Sequence, residues 1–161
     1  MLDCTEVTVV DGLTLRLVAS DSGLRSIEFQ PWRPLEGCRP GTHPVAAETI
    51  RQLRAYFAGR LRRFDLPLDL RGTGFQLQVW RQLETIPFGE TRSYTQIATA
   101  IGAPRAVRAV GAANGANPIP IVVPCHRVIG ATGTLVGYGG GLPLKKRLLE
   151  LEGALALPLA L

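Results

Sequence analysis

Short runs of strand-forming residues, separated by turn-forming ones, occupy the amino-terminal part of the chain. Residues 5–10, 13–18 and 24–29 are rich in β-branched and aliphatic side chains, and the intervening residues 11–12 and 21–23 contain Asp, Ser and Gly. Such turn residues between apolar runs are typical of hairpins. The pattern therefore predicts a small antiparallel meander.

The apolar spacing then changes from that of strands to that of helices. After a loop at 32–42 that is rich in Pro, Gly and charge, the apolar positions of residues 46–57 recur at helical spacing. One more strand is expected at 66–70. The Arg-Gly-Thr-Gly segment at 71–74 marks a boundary, so we predict a small α/β amino-terminal domain over residues 1–71, made of a short antiparallel sheet plus a helix.

The second half is mainly helical by the same criterion. Residues 75–86 carry an amphipathic helix, and residues 93–102 and 105–113 form two short helices joined by a turn with Gly and Pro, which is the sequence form of a helix-turn-helix. The remaining expected elements are a strand at 119–123, a wing at 130–134, a glycine-rich loop at 137–141, a helix opening at Pro143 and a loosely docked tail at 154–161. We predict an α+β protein whose second domain, residues 72–161, is a mainly helical, winged helix-turn-helix-like unit.

Composition narrows the class of protein. The chain has 161 residues, 46% of them apolar, and no run approaches the roughly 20 apolar residues that a membrane span needs. The start contains Asp3 and Glu6 and lacks the basic flank of a signal peptide. We therefore expect a cytoplasmic protein with no membrane partner.

The net charge of +5 is unevenly distributed. Residues 1–71 hold ten basic and nine acidic residues, whereas residues 72–161 hold eight and four. A basic domain favours a polyanionic partner such as nucleic acid. The positive excess thus lies in the half that carries the predicted helix-turn-helix.

Three cysteines, Cys4, Cys38 and Cys125, occur without a Cys-x-x-Cys pair. This number and spacing argue against a disulfide framework and imply at least one free thiol. Cys38 and His43 have the spacing of half a metal site, but no second pair lies near them in the sequence. We expect neither a metal nor a cofactor.

The main chemical signal is Pro124-Cys125-His126, at the end of an apolar, strand-like run. A thiol with its usual pKa of about 8.5 is mostly protonated at neutral pH, so a nucleophilic cysteine needs a base. His126 is the candidate base, Glu152 the carboxylate to orient it, and Asn117 the side chain to brace the cysteine segment. Taken alone, the pair fits equally an ordinary buried cysteine beside a hydrogen-bonded histidine.

The second helix of the predicted helix-turn-helix is rich in small residues. Ala106 and Ala109 let its backbone come close to whatever it faces, and Arg105 and Arg108 flank that surface. The alternative is a helix packed tightly in the core with solvated arginines.

Several motifs together resemble the O6-alkylguanine-DNA alkyltransferases. They are Arg108-Ala109-Val110-Gly111, Asn117-Pro118, Pro124-Cys125-His126-Arg127-Val128, Gly137-Tyr138 and Leu149-Glu150-Leu151-Glu152-Gly153. The resemblance covers residues 74–153, and residues 1–71 fit the family by the order of elements only. It implies DNA repair, in which an alkyl group passes from guanine O6 of duplex DNA to Cys125 irreversibly and once per molecule.

The same resemblance implies a role for each matching residue. Cys125 is the acceptor, His126 the base acting through a water, Glu152 its orienting partner and Asn117 the brace. The pocket for the base, which is turned out of the duplex, is assigned to Tyr94, Pro120, Val128, Tyr138 and Gly139. The DNA contacts are assigned to Thr95, Arg105, Ala106, Arg108, Ala109 and Asn114, with Arg108 as the finger that fills the vacated space.

Two positions depart from some relatives. Gly139 stands where some donate a serine hydroxyl to O6, so a backbone N–H must serve or the pocket is roomier. Ser20 and Arg25 stand where some hold zinc, which supports the expectation of no metal. The expected partner of this monomer is duplex DNA with O6-alkylguanine, or O4-alkylthymine as a second substrate.

Three rival interpretations remain. A damage sensor of the alkyltransferase-like kind would lack Cys125, a helix-turn-helix regulator would bind a specific sequence, and a Cys-His hydrolase would turn over an ester or amide.

Overall fold

A computed structural model describes residues 1–155 of the chain. They form two compact units, which divide between Arg71 and Gly72. The part of the predicted tail beyond residue 155 lies outside the described residues. No helix within residues 1–155 combines the length and apolar character of a membrane span.

The first unit is a four-stranded sheet with one helix. The elements are β1 (Leu2–Val10), β2 (Leu13–Ser20), β3 (Gly23–Phe29), β4 (Cys38–Pro40) and α1 (Pro44–Phe57). In the order β3-β2-β1-β4, the first three strands are antiparallel neighbours, whereas β4 pairs with β1 in parallel. The predicted meander and helix are confirmed. The three residues of β4 carry no alternating pattern and lie within the predicted loop.

Two predictions for this unit are wrong. Residues 66–70 are not a strand, because only Leu68 forms a bridge, with Leu24, and the adjacent Pro67 has no N–H to donate. Cys4 and Cys38 form a disulfide, with their Cα atoms 5.8 Å apart. The parallel pairing of β1 with β4 brings these cysteines together, which a separation of 34 residues along the chain does not reveal.

The second unit is mainly helical. Its elements are α2 (Gly74–Leu83), β5 (Arg92–Ser93), α3 (Tyr94–Ala100), α4 (Val107–Gly115), β6 (Val128–Ile129) and α5 (Leu142–Leu151). Thr73 and Ser93 each open a helix with a capping box, in which the cap hydroxyl and a Gln side chain satisfy two free backbone N–H groups. Gly102, at φ 76°, turns the chain from α3 to α4, as a helix-turn-helix requires.

Several helix ends differ from the predicted ones by one to three residues. The helix α2 ends at Leu83, before the predicted residue 86, and α4 begins at Val107, so that Arg105 and Ala106 belong to the preceding turn. Propensity patterns define helix ends least well, because terminal residues make few helical hydrogen bonds.

Residues 119–123 form a buried turn, and the prediction of a strand there is wrong. The Val123 N–H donates to the Ile119 carbonyl (2.9 Å), and Ile121 has φ 73°, which a β-branched residue rarely adopts. The side chains of all three residues are nevertheless buried. The apolar run therefore reflects burial, because a buried turn and a core strand have the same run of apolar residues in the sequence.

Candidate active site

The buried turn leads into a short 3-10 helix, Cys125–Arg127, which carries the candidate nucleophile. Cys125 is a free cysteine and only 5% exposed. Burial raises the pKa of its thiol to about 11, although the Asn117 side chain and the Lys145 charge act in the opposite direction. The thiol is thus protonated at neutral pH and needs a base to become a nucleophile.

His126 is fully buried beside a carboxylate. Its Nε2 lies 2.8 Å from Oε2 of Glu152. Burial lowers the pKa of His126 despite that carboxylate, and the cations of Arg127 and Lys145 act in the same direction as burial. A neutral imidazole that donates from Nε2 keeps a lone pair on Nδ1, and no group within residues 1–155 hydrogen-bonds Nδ1. This nitrogen can therefore take a proton.

Arg127 holds Glu152 in place. Its Nε donates to Oε1 (2.8 Å) and its Nη2 to Oε2 (3.0 Å), while Nη1 donates to the Ile86 carbonyl (2.7 Å). Burial alone would raise the pKa of Glu152, but the hydrogen bonds from His126 and Arg127 lower it to about 2. Because Arg127 compensates the carboxylate, Glu152 stays ionised while His126 stays neutral.

Two asparagines hold the backbone around Cys125. Asn117 bridges the buried turn, since its Nδ2 donates to the Val123 carbonyl (2.7 Å) and its Oδ1 accepts from the Ile119 N–H (3.0 Å). Asn114 was assigned to DNA contact, but it is only 7% exposed and its Nδ2 points to the Cys125 carbonyl (3.4 Å). A place on the inner side of α4 does not fit a contact with DNA.

Lys145 is a buried cation next to the site, and no sequence argument above singled it out. Its Nζ donates to the carbonyls of Val128 (2.7 Å), Val136 (3.0 Å) and Gly137 (3.3 Å). Burial lowers the pKa of this ammonium to about 8. It thus joins β6 to the glycine-rich loop. Its helical spacing from Leu148 and Leu149 places it on the apolar face of α5, and that spacing was the available signal.

The residues assigned to the base pocket differ in exposure and in their contacts. The Tyr94 hydroxyl donates to the Val136 carbonyl (3.2 Å), and the ring of Tyr138 lies 6.5 Å from that of His126, measured between centroids. Pro120 and Val128 are buried, whereas Gly139 is exposed. The Val128 carbonyl accepts from Lys145, and its second lone pair can accept one more hydrogen bond.

Most residues assigned to DNA contact lie on the outer side of the helix-turn-helix. Thr95, Arg105, Arg108 and Ala109 are exposed, and Ala106 is half-buried at the start of α4. Within residues 1–155, neither Arg105 nor Arg108 pairs with a carboxylate. The inner side of α4 is held by the Trp80 indole, whose N–H donates to the Ala113 carbonyl (2.8 Å).

Ser20 and Arg25, where the sequence predicts no zinc, belong to a hydrogen-bonded network around Asp69. Asp69 accepts from the Ser20 hydroxyl (2.6 Å) and from Nε of Arg25 (3.0 Å). The Ser20 hydrogen bond and the two arginines Arg25 and Arg71 outweigh burial and lower the pKa of Asp69 to about 2. Within residues 1–155, no three His, Cys, Asp or Glu side chains form a cluster suited to a metal ion.

Both parts of the chain match models of one family. Residues 14–70 match the 6-O-methylguanine DNA methyltransferase, ribonuclease-like domain, and residues 74–154 match its DNA binding domain. A methylated-DNA–protein-cysteine methyltransferase of Mycobacterium bovis is 59% identical over 133 residues, which are 81% of this chain and 79% of that protein. The constitutive enzyme of Bacillus subtilis is 54% identical over 110 residues, which are 68% and 67% of the two chains.

Solved structures agree with these matches. The Mycobacterium tuberculosis OGT in complex with DNA is similar with a TM-score of 0.87 and 49% identity, over 94% of this chain and 92% of that one. The O6-methylguanine-DNA methyltransferase of Pyrococcus kodakaraensis has a TM-score of 0.66 at 25% identity, over 95% and 99%. These matches confirm the predicted α+β fold class. This chain belongs to the 6-O-methylguanine DNA methyltransferase family.

Proposed function

We propose that this protein repairs DNA by transferring the alkyl group of O6-alkylguanine to its own Cys125. Its relatives are named methylated-DNA–protein-cysteine methyltransferases, and one similar structure is a complex with DNA. The observation that carries the proposal is a free, buried Cys125 next to a neutral His126 that Glu152 and Arg127 hold in place. The cytoplasm, where we expect the protein to act, remains a prediction based on the sequence.

The proposed reaction is a substitution at the alkyl carbon. The Cys125 thiol gives its proton to Nδ1 of His126, directly or through a water, while the sulfur attacks. The S–C bond forms as the C–O6 bond breaks, and guanine leaves with the electron pair. The Tyr94 hydroxyl donates a proton to the guanine ring and regains one from His126. The product is a thioether, so each molecule acts once.

The base pocket is assigned to Tyr94, Pro120, Val128, Tyr138 and Gly139. In this pocket the backbone N–H of Gly139 donates to O6, since glycine offers no side-chain hydroxyl. The carbonyls of Cys125 and Val128 accept from the guanine amino group. These contacts identify the base as guanine by its hydrogen-bonding edge.

Guanine O6 is hidden within the duplex stack, so the base has to be turned out at a cost of roughly a few kcal/mol. We assign Arg108 as the side chain that fills the vacated space, supported by its exposure on α4. The rest of the DNA face is assigned to Thr95, Arg105, Ala106 and Ala109. Small side chains suit the narrow minor groove, where sequence readout is poor, and low sequence specificity suits a repair protein.

Intact-protein mass spectrometry tests the proposal. After incubation with a duplex that carries O6-methylguanine, we expect a gain of one methyl group per molecule, on Cys125 by peptide mapping, and no more with excess duplex. The Cys125→Ala variant is expected to bind the same duplex without a gain in mass. An unmodified protein would instead indicate a damage sensor or a regulator, and a methyl on Cys4 or Cys38 would contradict the assigned site.

A further inference from the structure

An arginine-rich surface of the first unit takes no part in the site described above. Residues 51–64 include five arginines and no acidic residue, whereas the rest of residues 1–71 has five basic and nine acidic residues. The small net charge of this unit therefore conceals a strong local concentration of positive charge. Arg51 is bound to Glu48. Three of the others, Arg54, Arg60 and Arg63, are here called the arginine surface.

Two of these arginines meet where α1 ends. Gly59 has φ 75°, and the chain turns back so that the Arg60 N–H donates to the Ala55 carbonyl (2.8 Å). Arg54 and Arg60 consequently line one open groove of about 410 Å³. Its other lining residues are Ala47, Ile50, Arg51 and Ala55. The groove thus combines three arginines with three small or aliphatic side chains.

The segment that follows α1 is held at its far end by contacts of Phe64 and Asp65. The Phe64 ring packs on Tyr56, with 5.3 Å between centroids. The buried Gln52 exchanges two hydrogen bonds with the backbone of Asp65, both 2.9 Å long. The backbone of residues 60–63 is therefore already ordered, which lowers the entropy that its arginines lose on binding a partner.

In this surface, Nη2 of Arg54 donates to the Thr8 carbonyl (3.4 Å), a neutral group that does not compensate its charge. Arg54, Arg60 and Arg63 are exposed, and within residues 1–155 none of them pairs with a carboxylate. By contrast, Arg25 and Arg71 both pair with Asp69. The partial negative charge at the C-terminal end of a helix is stabilised by nearby cations, which explains why Arg54 and Arg60 lie at the end of α1. It does not account for Arg63, which lies beyond the end of the helix.

We propose that the arginine surface binds the phosphate backbone of duplex DNA, as a second contact besides the helix-turn-helix. A guanidinium is permanently charged, and its planar donor set matches a phosphate. Several such groups on an ordered backbone, none of them paired with a carboxylate within residues 1–155, suit contacts with phosphates. The choice of DNA over an acidic protein rests on the proposed function, because DNA is the polyanion that the protein meets in repair.

The salt dependence of DNA binding tests this proposal. The variant Arg54→Gln/Arg60→Gln/Arg63→Gln is titrated with an undamaged duplex of several helical turns at a series of salt concentrations. Each phosphate contact contributes about 0.9 to the slope of log K against log salt, so the slope is expected to fall by about 2–3, and the affinity at low salt about tenfold or more.

The matched control is Arg33→Gln/Arg39→Gln/Arg71→Gln, which removes the same charge from exposed arginines elsewhere in the unit. It is expected to keep the normal slope. A normal slope in the first variant, or an equal fall in both, would overturn the proposal. If the first variant keeps the normal slope but sediments differently, the surface instead contacts a second copy of the chain. If it keeps the normal slope but melts at a lower temperature, the arginines instead stabilise α1.

Alkyl transfer from a free O6-alkylguanine nucleoside is expected at the normal rate in both variants, because it needs no phosphate contact. If the unmodified protein failed to react with either nucleoside or duplex, the proposed function would be wrong. The comparison of salt slopes would still report on the arginine surface.

Discussion

Cys125, His126 and Glu152 lie together in a buried site but differ in charge because their partners differ. The thiol has no strong compensating cation, so burial raises its pKa to about 11. Glu152 has the guanidinium of Arg127 and remains ionised. His126 is left neutral between them and thus has the protonation state that a general base requires.

The raised pKa of Cys125 predicts how it reacts with iodoacetamide. With a pKa of about 11, the thiolate fraction rises about tenfold per pH unit, so alkylation of the folded protein is expected to be slow at about pH 7 and about a hundredfold faster at about pH 9. The rate is followed by intact mass, and the bonded Cys4 and Cys38 do not compete. A rate that did not change with pH over this range would show that the thiolate is already formed.

The roles of individual residues were predictable from the sequence where reactive side chains lie together in a short motif. The Cys-His pair lies in one motif, and the contact of His126 with Glu152 follows the expected pairing of a base with a carboxylate. Lys145 was not predictable in this way, because lysine side chains are almost always exposed and this one is followed by two further basic residues. The three carbonyls that bind it are brought together only by the fold.

Among the elements, the buried turn at 119–123 determines where Cys125 lies. Asn117 joins its two ends through the Ile119 N–H and the Val123 carbonyl. Ile121 holds a left-handed conformation at its centre, and such backbone strain is kept only where the surroundings enforce it. The sequence predicted the burial of this segment but not its shape, since apolar runs of this length fit a strand and a turn equally.

Asn117→Ala is expected to weaken this turn and slow alkyl transfer. It leaves two backbone groups without their partner, at a cost of about 1–3 kcal/mol in the free energy of unfolding. Chemical denaturation and the rate of transfer from a free nucleoside are measured together.

The control for this variant is Thr73→Ala, which removes the cap of α2 in the same unit and costs about 1 kcal/mol. It is expected to lower stability without slowing the transfer. Equal rates in the two variants would contradict a positioning role for Asn117.

At the scale of the whole molecule, the two units are stabilised by different means. The second unit packs its helices around buried side chains such as Trp80, Leu83 and Ile97. The first unit adds a covalent link between β1 and β4, through Cys4 and Cys38. The first three strands and the helices of both units were predictable from spacing and turns. The link was not, because β4 has only three residues and pairs with a strand far away in the sequence.

Cys38→Ser is expected to lower the free energy of unfolding by about 3–4 kcal/mol under oxidising conditions. The disulfide joins residues that are 34 apart in the sequence. A crosslink of that span lowers the conformational entropy of the unfolded chain by an amount that corresponds to this stabilisation. Unfolding by guanidinium is followed by circular dichroism. Adding a reductant should bring the unmodified protein to the stability of the variant and leave the variant unchanged. Equal stability without reductant would rule out a stabilising link.

The burial of Cys125 has a consequence for the protein after it has reacted. Cys125 is buried, with 5% of the residue exposed, and the transfer adds at least one carbon to its sulfur. An extra methyl group in a packed core commonly costs about 1–3 kcal/mol, because neighbouring side chains must move. The used molecule is thus expected to be closer to unfolding than the fresh one. Repair of one base would thereby shorten the lifetime of the protein that performed it.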